Sequence, residues 1–180
     1  MTAHEDWIQH AIAGVETVQA TFTRPDDDWH HMLLGQDGDG RLVMVDIREA
    51  FVDAPTKEAF ATAGLPRLIV AARLHRVAFV ASAWVARLEG DERVQAERGE
   101  CIRASLHPRR QEVVMVYACS DGTESMSTAR IQRDSERPPR LSEWTQATTQ
   151  DRTGIGFDGL FAEAIRRAVA EVWGTRGEPR

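Results

Sequence analysis

The sequence predicts a single α+β domain whose mainly antiparallel sheet has five to six strands. Amphipathic helices are expected at both ends of the chain, and a helical segment before the central strand. An apolar, nearly uncharged run at residues 76–88 is typical of a strand covered on both faces, and residues 112–119 have the same character. The elements lack the strict alternation of strands and helices that a doubly wound parallel sheet requires, which favours the α+β class.

A helix and a hairpin occupy the first part of the chain. Apolar residues recur at spacings of three and four between residues 4 and 22, which predicts an amphipathic helix. Residues 29–34 and 42–47 have the character of strands, and the Asp-Gly pairs that begin at Asp37 and Asp39 are strong hairpin signals. The chain therefore begins with a helix followed by a β-hairpin.

The helical segment leads into the central strand. Residues 55–64 favour a short helix, and Pro66 suits the first turn of another because its missing N–H would have no partner there. Within the strand at residues 76–88, Ser82 is an isolated polar side chain that shares a face with Trp84. We expect Trp84 to be largely buried, so that its replacement by alanine would cost about 3 to 5 kcal/mol.

The second half of the chain alternates strands and turns and closes with a helix. Polar residues after the central strand predict a mobile loop with room for a helical turn, and an Asp-Gly turn joins two further strands. An apolar stripe capped by Asp158 predicts the last helix. The expected ranges are 89–103 for the loop, 112–119 and 125–132 for the strands, 141–146 for a short strand and 158–173 for the helix. The domain then spans residues 1–174, with a frayed tail at 175–180.

Composition and charge describe an ordinary soluble protein. A length of 180 residues fits one domain, and a net charge of −6 disfavours nucleic acid as a partner. The first residues are polar and acidic where a signal peptide would be basic and then apolar, and no apolar run approaches the roughly 20 residues that cross a bilayer. We expect a cytoplasmic protein that is not bound to a membrane, with free thiols at Cys101 and Cys119.

The segment before the second buried strand concentrates the side chains best suited to chemistry. It holds His107, Arg109, Arg110 and Glu112. Residues two apart on a strand share a face, so Arg110 and Glu112 are expected to form a mainly structural ion pair. The alternative is an anion pocket in which His107 is the acid–base group and one of the arginines is the clamp.

Two short motifs flank the polar loop. One is a strand that ends in Ala-Trp, and the other is a Ser-x-His-Pro-x-Arg-x-Glu segment followed by an apolar strand. Here they comprise Ala83, Trp84, Ser105, His107, Pro108, Arg110 and Glu112. Together, over residues 42–133, they resemble an uncharacterised family of small bacterial and phage proteins. That family has no assigned activity, so the resemblance implies a bacterial or phage-related origin and no function. Its members tend to carry Glu at the position of Ser82, so a site built on that carboxylate would be altered or lost here.

No catalytic, metal or cofactor motif is complete in the sequence. His30 and His31 follow three aspartates, but neighbouring residues of a strand point to opposite faces, so at most one could join a metal site. The serines lack the flanking glycines of a nucleophile elbow, and the glycines before the last helix do not form a phosphate loop. We therefore predict neither a cofactor nor a bound metal.

Two hypotheses of function follow. The first is a non-catalytic protein that acts through self-association as a homodimer, or as an accessory or binding module. Its basis is the lack of a complete catalytic motif and an apolar sheet larger than the helices cover, with the contact expected on the first and last helices around Trp7 and Trp173. The second is a small hydrolase or anion-substrate enzyme that uses the cluster of His107, Arg109, Arg110 and Glu112, with Ser82 as a further candidate. The sequence indicates no particular small-molecule ligand.

Overall fold

Antiparallel strands form one sheet with helices packed on both of its faces. The computed structural model describes residues 2–86, 88–98, 104–120, 122–148 and 160–174. The helices are α1 (Ala3–Gln19), α2 (Ala54–Ala59), α3 (Leu65–Ala71), α4 (Asp91–Glu97) and α5 (Leu160–Gly174). The strands are β1 (Met32–Asp37), β2 (Leu42–Asp46), β3 (Leu74–Ala86), β4 (Arg110–Ser120), β5 (Thr123–Gln132), β6 (Arg140–Leu141) and β7 (Thr145–Thr148). The predicted α+β class is confirmed.

The apolar run that predicted the central strand does lie at the centre of the sheet. The strand order is β2-β1-β3-β4-β5-β6, and β7 pairs with β5 beside β6. β3 is antiparallel to both of its neighbours, with Val80 opposite Met32 of β1 and Val116 of β4. Strand β2 therefore forms one outer edge of the sheet.

Alternation along the strands gives the sheet two apolar faces. Ala78 and Val80 of β3 pack with the buried stripe of α1, while Val77 and Phe79 pack with α3 and α5. A capping box between Thr2 and the residue three positions on fixes the start of α1. Each face of β3 is thus covered by helices, as a strand with no polar face requires.

Several element boundaries differ from the sequence prediction. A π-helical turn at Phe60–Gly64 joins α2 to α3, so the helical segment is continuous from the one to the other. Helix α4 occupies the range where a loop with a helical turn was expected, and two short strands, β6 and β7, replace the single one expected. The predicted cap Asp158, the thiol of Cys101 and the tail at 175–180 lie outside the described residues.

The prediction that Trp84 is buried was wrong. Its side chain is 44% exposed, and the guanidinium of Arg110 lies 5.3 Å from the centre of its ring. Trp84 stands opposite Glu112 near the end of β3, and the next residue, Val85, is also exposed, because β3 extends there beyond the helices that cover its centre. The cost of 3 to 5 kcal/mol expected for its replacement by alanine applied to a fully buried ring. The exposed ring therefore contributes less to stability.

The helices use their apolar stripes within the chain. Trp7 of α1 and Phe161 of α5 are buried in the two cores. Trp173 packs against the core, and its indole N–H donates to the carbonyl of His75 at 2.9 Å. The buried rings of Trp7 and Phe161 are used within the chain, which does not favour the expected contact between copies on the first and last helices; that contact stays a prediction.

His4 ties the start of α1 to the hairpin of β4 and β5. Its Nδ1 lies 2.6 Å from the hydroxyl of Ser120, and its Nε2 lies 2.8 Å from the hydroxyl of Ser125. Burial, with a smaller contribution from Arg76, lowers the pKa of His4 below its usual 6.5. Burial also lowers the pKa of His31.

We expect the free energy of unfolding to fall as the pH is lowered below about 6.5, because the unfolded chain then binds protons that the folded histidines resist. The loss should level off below the folded pKa values. Urea denaturation between pH 7.5 and 5 measures it. His4→Asn should reduce the dependence of the free energy of unfolding on pH. His10→Asn, at an exposed position of the same helix, is the control and should leave that dependence unchanged. If the His4→Asn variant and the wild type showed the same dependence of stability on pH, His4 would not be the group that resists protonation in the folded chain.

Candidate functional site

The structure brings His107 and Arg109 together with Glu92 of α4. His107 Nε2 lies 3.3 Å from one carboxylate oxygen of Glu92, and the guanidinium of Arg109 binds the other. The backbone N–H of Arg109 donates to Nδ1 of His107 at 3.1 Å. His107 is 3% exposed. This group joins α4 to the start of β4.

Both ring nitrogens of His107 are therefore used within the chain. Nδ1 accepts a hydrogen bond, so the N–H of the ring is at Nε2, and it donates a hydrogen bond to Glu92. The Glu92 carboxylate also accepts a hydrogen bond from the backbone N–H of Glu89. This bond, then the hydrogen bond from His107 and the positive charge of Arg109, lowers the pKa of Glu92. A buried imidazole with two internal partners is placed to fix a loop rather than to exchange protons with a substrate.

The predicted ion pair between Arg110 and Glu112 was wrong. Arg110 stacks on Trp84, whereas both oxygens of Glu112 accept hydrogen bonds from Arg133, at 2.7 and 2.8 Å. Arg133 also lies 3.1 Å from a carboxylate oxygen of Asp28. The planar guanidinium of Arg133 meets the carboxylate in bidentate geometry from beyond the end of β5, which the spacing of residues along one strand does not reveal.

The candidate site residues consequently fall into separate groups. His107 and Arg109 bind Glu92, while Arg110 and Glu112 have other partners. Ser82 is half-buried on β3, and within the described residues its side chain forms no hydrogen bond with any of these groups. Within the described ranges, no group of three histidine, cysteine or acidic side chains is placed to hold a metal ion.

Cys119 is a core residue. It is 1% exposed, and burial raises the pKa of its thiol to about 12. Beside it, the hydroxyl of Tyr117 donates to the buried carboxylate of Glu124, to which Arg166 of α5 also donates two hydrogen bonds. A thiol held protonated in this way is a poor nucleophile. The hydrogen bonds from Arg166 to Glu124 anchor α5 to the sheet.

The outer edge of β2 is a surface that the sequence did not single out. Leu42 is 56% exposed and Met44 is 69% exposed. The backbone of Arg41 and of Ile47 pairs with β1, because Asp37 N–H donates to the Arg41 carbonyl and Ile47 N–H donates to the His31 carbonyl. Alternation of an antiparallel ladder then directs the backbone groups of Leu42, Met44 and Asp46 away from β1. Beyond β2 the sheet has no further strand in the described part of the chain.

A second feature, which we call the aromatic pocket, lies beside the start of α5, on the face of the sheet opposite to the exposed side chains of Leu42 and Met44. It is a cavity of about 370 Å³. Its walls come from the sheet, from the 3-10 turn Arg48–Phe51, from α2 and from α5. The lining side chains that matter below are His31, Phe51, Lys57, Phe79, Ala83 and Phe161.

No protein-family model matches the chain, and no curated protein or solved structure matches it significantly. The resemblance to small bacterial and phage proteins therefore stays a prediction. The fold defines an α+β protein with helices on both faces of an antiparallel sheet. Among the described residues, no helix is both long enough and apolar enough to span a membrane.

Proposed function

We propose that the protein is non-catalytic and acts by associating with a second copy of itself through the outer edge of β2. The observation that carries this proposal is a row of outward backbone donors and acceptors flanked by the exposed side chains of Leu42 and Met44. Uncovered edge strands with apolar side chains are ready templates for pairing with another strand. The natural occupant is therefore an extended strand.

A second β2 fits this edge in an antiparallel register. A twofold axis at Val43 places Leu42 of each copy opposite Met44 of the other, with the outward N–H and C=O groups of both residues in ladder positions. The apolar side chains then form cross-strand pairs on one face, and the two Val43 side chains meet on the other. Two sheets would become one continuous sheet.

The geometry of His107 also supports a non-catalytic role. The residue best suited to acid–base chemistry has both nitrogens bonded inside the chain, and the neighbouring charged groups are paired elsewhere. A catalytic group needs to reach the proton that it transfers. The alternative of a hydrolase or anion-substrate enzyme therefore receives no support from these contacts.

Light scattering coupled to size-exclusion chromatography tests the proposal over a concentration series. A five-residue edge gives a small interface, so we expect a dimer that dissociates in the micromolar range. Met44→Pro removes an outward N–H and leaves the bonds to β1 in place, so it should give a monomer. Val52→Lys changes a side chain that is 77% exposed outside β2 and should leave the dimer intact.

Two results would contradict the proposal. A wild-type chain that stays monomeric at several hundred micromolar, about a hundred times the expected dissociation constant, would leave no role for the edge. A dimer that persists unchanged in Met44→Pro would place the contact on another surface. Circular dichroism of the variant, which should match that of the wild type, separates lost association from lost folding.

A further inference from the structure

The aromatic pocket has walls that suit a flat apolar molecule. The rings of Phe79 and Phe161 lie 5.0 Å apart and within 12° of parallel, and Phe51 lies 5.1 Å from Phe161 at 21°. The imidazole of His31 stacks on Phe51 at 3.9 Å and 14°. Met115 and Met126 line the cavity as well, and thioethers in general suit the faces and edges of aromatic ligands. Such a cavity, about 370 Å³ in volume, is the size of a small-ligand pocket.

Lys57 supplies a positive charge at this cavity. Its ammonium lies 5.5 Å from the centre of the Phe51 ring and 5.9 Å from that of Phe161. The side chain is exposed, and it forms no salt bridge with the described residues. Burial and then the nearby Lys57 lower the pKa of His31, whereas Asp28 and Asp46 act in the other direction. The charged residue that lines the pocket is thus a cation without a carboxylate partner there.

We propose that the aromatic pocket binds a small planar organic anion, with an aromatic carboxylate as the chemical class. The planar body would stack among the phenylalanine rings, and its carboxylate would pair with the ammonium of Lys57 in place of the present contact with the ring faces. An aromatic cation would meet repulsion from Lys57, and a neutral aromatic molecule would gain only the stacking. This site lies on the other face of the sheet from the exposed side chains of β2, so it stands or falls independently of the proposed dimer.

The experiment compares three probes that share one ring system: 2-naphthoate, 2-naphthalenemethanol and 2-naphthylmethylamine. Lys57 is the only lysine of the chain, so reductive methylation with ¹³C-formaldehyde places an NMR reporter at this side chain. We expect saturable shifts of the Lys57 methyl signal with the carboxylate, and weaker binding of the alcohol and then of the amine. The signal of the methylated α-amino group is an internal control and should not move.

Two variants, studied by calorimetry, separate the charge from the cavity. Lys57→Met should weaken 2-naphthoate about fivefold, the size of a partly exposed ion pair, and leave the alcohol unchanged. Arg67→Met, at an exposed position of α3, is the matched loss of a positive charge and should have no effect. Ala83→Phe fills the pocket from a half-buried position and should abolish binding of both probes.

The proposal is overturned if 2-naphthoate shows no saturable binding at millimolar concentration. Equal affinity for the carboxylate, the alcohol and the amine would remove the role of Lys57. Binding that survives Ala83→Phe in a folded variant would place the ligand outside this cavity.

Discussion

Replacing Trp29 with alanine is expected to lower the free energy of unfolding by about 3 to 5 kcal/mol. Trp29 is 2% exposed in the core beneath α1, and its ring meets Phe22 edge to face at 4.7 Å. Its indole N–H donates to the carbonyl of Val15 in the last turns of α1, at 3.3 Å. The alanine variant would leave a cavity between the end of this helix and the sheet. Urea denaturation measures the change.

Trp29→Phe is the control that separates the ring from its hydrogen bond. It keeps an aromatic side chain in the core and loses the bond to Val15, which should cost about 1 kcal/mol for the bond, plus a smaller packing loss. A loss below about 1 kcal/mol in the alanine variant would show that the site beneath α1 collapses without a cavity or is already loosely packed.

Gly35→Ala is expected to destabilise the protein by about 1 to 3 kcal/mol, because the added methyl group overpacks the core. A Cβ on Gly35 would lie 2.5 Å from Cδ1 of Leu74 and 3.0 Å from its Cδ2. Leu74 is 1% exposed, so its side chain has little space to withdraw. Shortening the neighbour in the double variant Gly35→Ala/Leu74→Val should relieve the clash, and a double-mutant cycle measures the coupling.

Gly14→Ala is the matched control within α1. Its new Cβ would lie 3.7 Å from Leu34, an ordinary contact, and alanine favours a helix, so we expect a gain of about 0.5 to 1 kcal/mol. If both glycine variants changed stability by the same amount and sign, the close approach of Leu74 to β1 would not explain the loss.

Local patterns in the sequence were sufficient to predict the fold class and the central strand. The apolar run around Phe79 has no polar face, and such a strand is stable only where both faces are covered. The periodicity of α1 likewise placed its buried side at Ile8 and Val15. Periodicity does not say where a covering helix stops, and for that reason the exposure of Trp84 could not be predicted.

The partners of charged side chains depend on contacts between distant segments. Arg133 reaches Glu112 from beyond the end of β5, and Glu92 reaches His107 from α4. The separation of these partners along the chain follows no known motif. The sequence therefore predicted an ion pair between Arg110 and Glu112, which lie two apart on one strand. The aromatic pocket was equally hidden, because Phe51 and Phe161 meet only when α5 packs beside the 3-10 turn. Alternation along a strand places Leu42 and Met44 on one face. Only the order of the strands in the folded sheet shows that β2 lies at its edge.

Amide hydrogen exchange in β2, followed by NMR at high and low protein concentration, tests the proposed association most directly. The inward amides of Val43 and Val45 bond to β1 and should exchange slowly at both concentrations. We expect the outward amides of Leu42 and Met44 to exchange slowly at high concentration, where two copies pair, and quickly on dilution. Outward amides that exchange quickly at every concentration would contradict the proposed association.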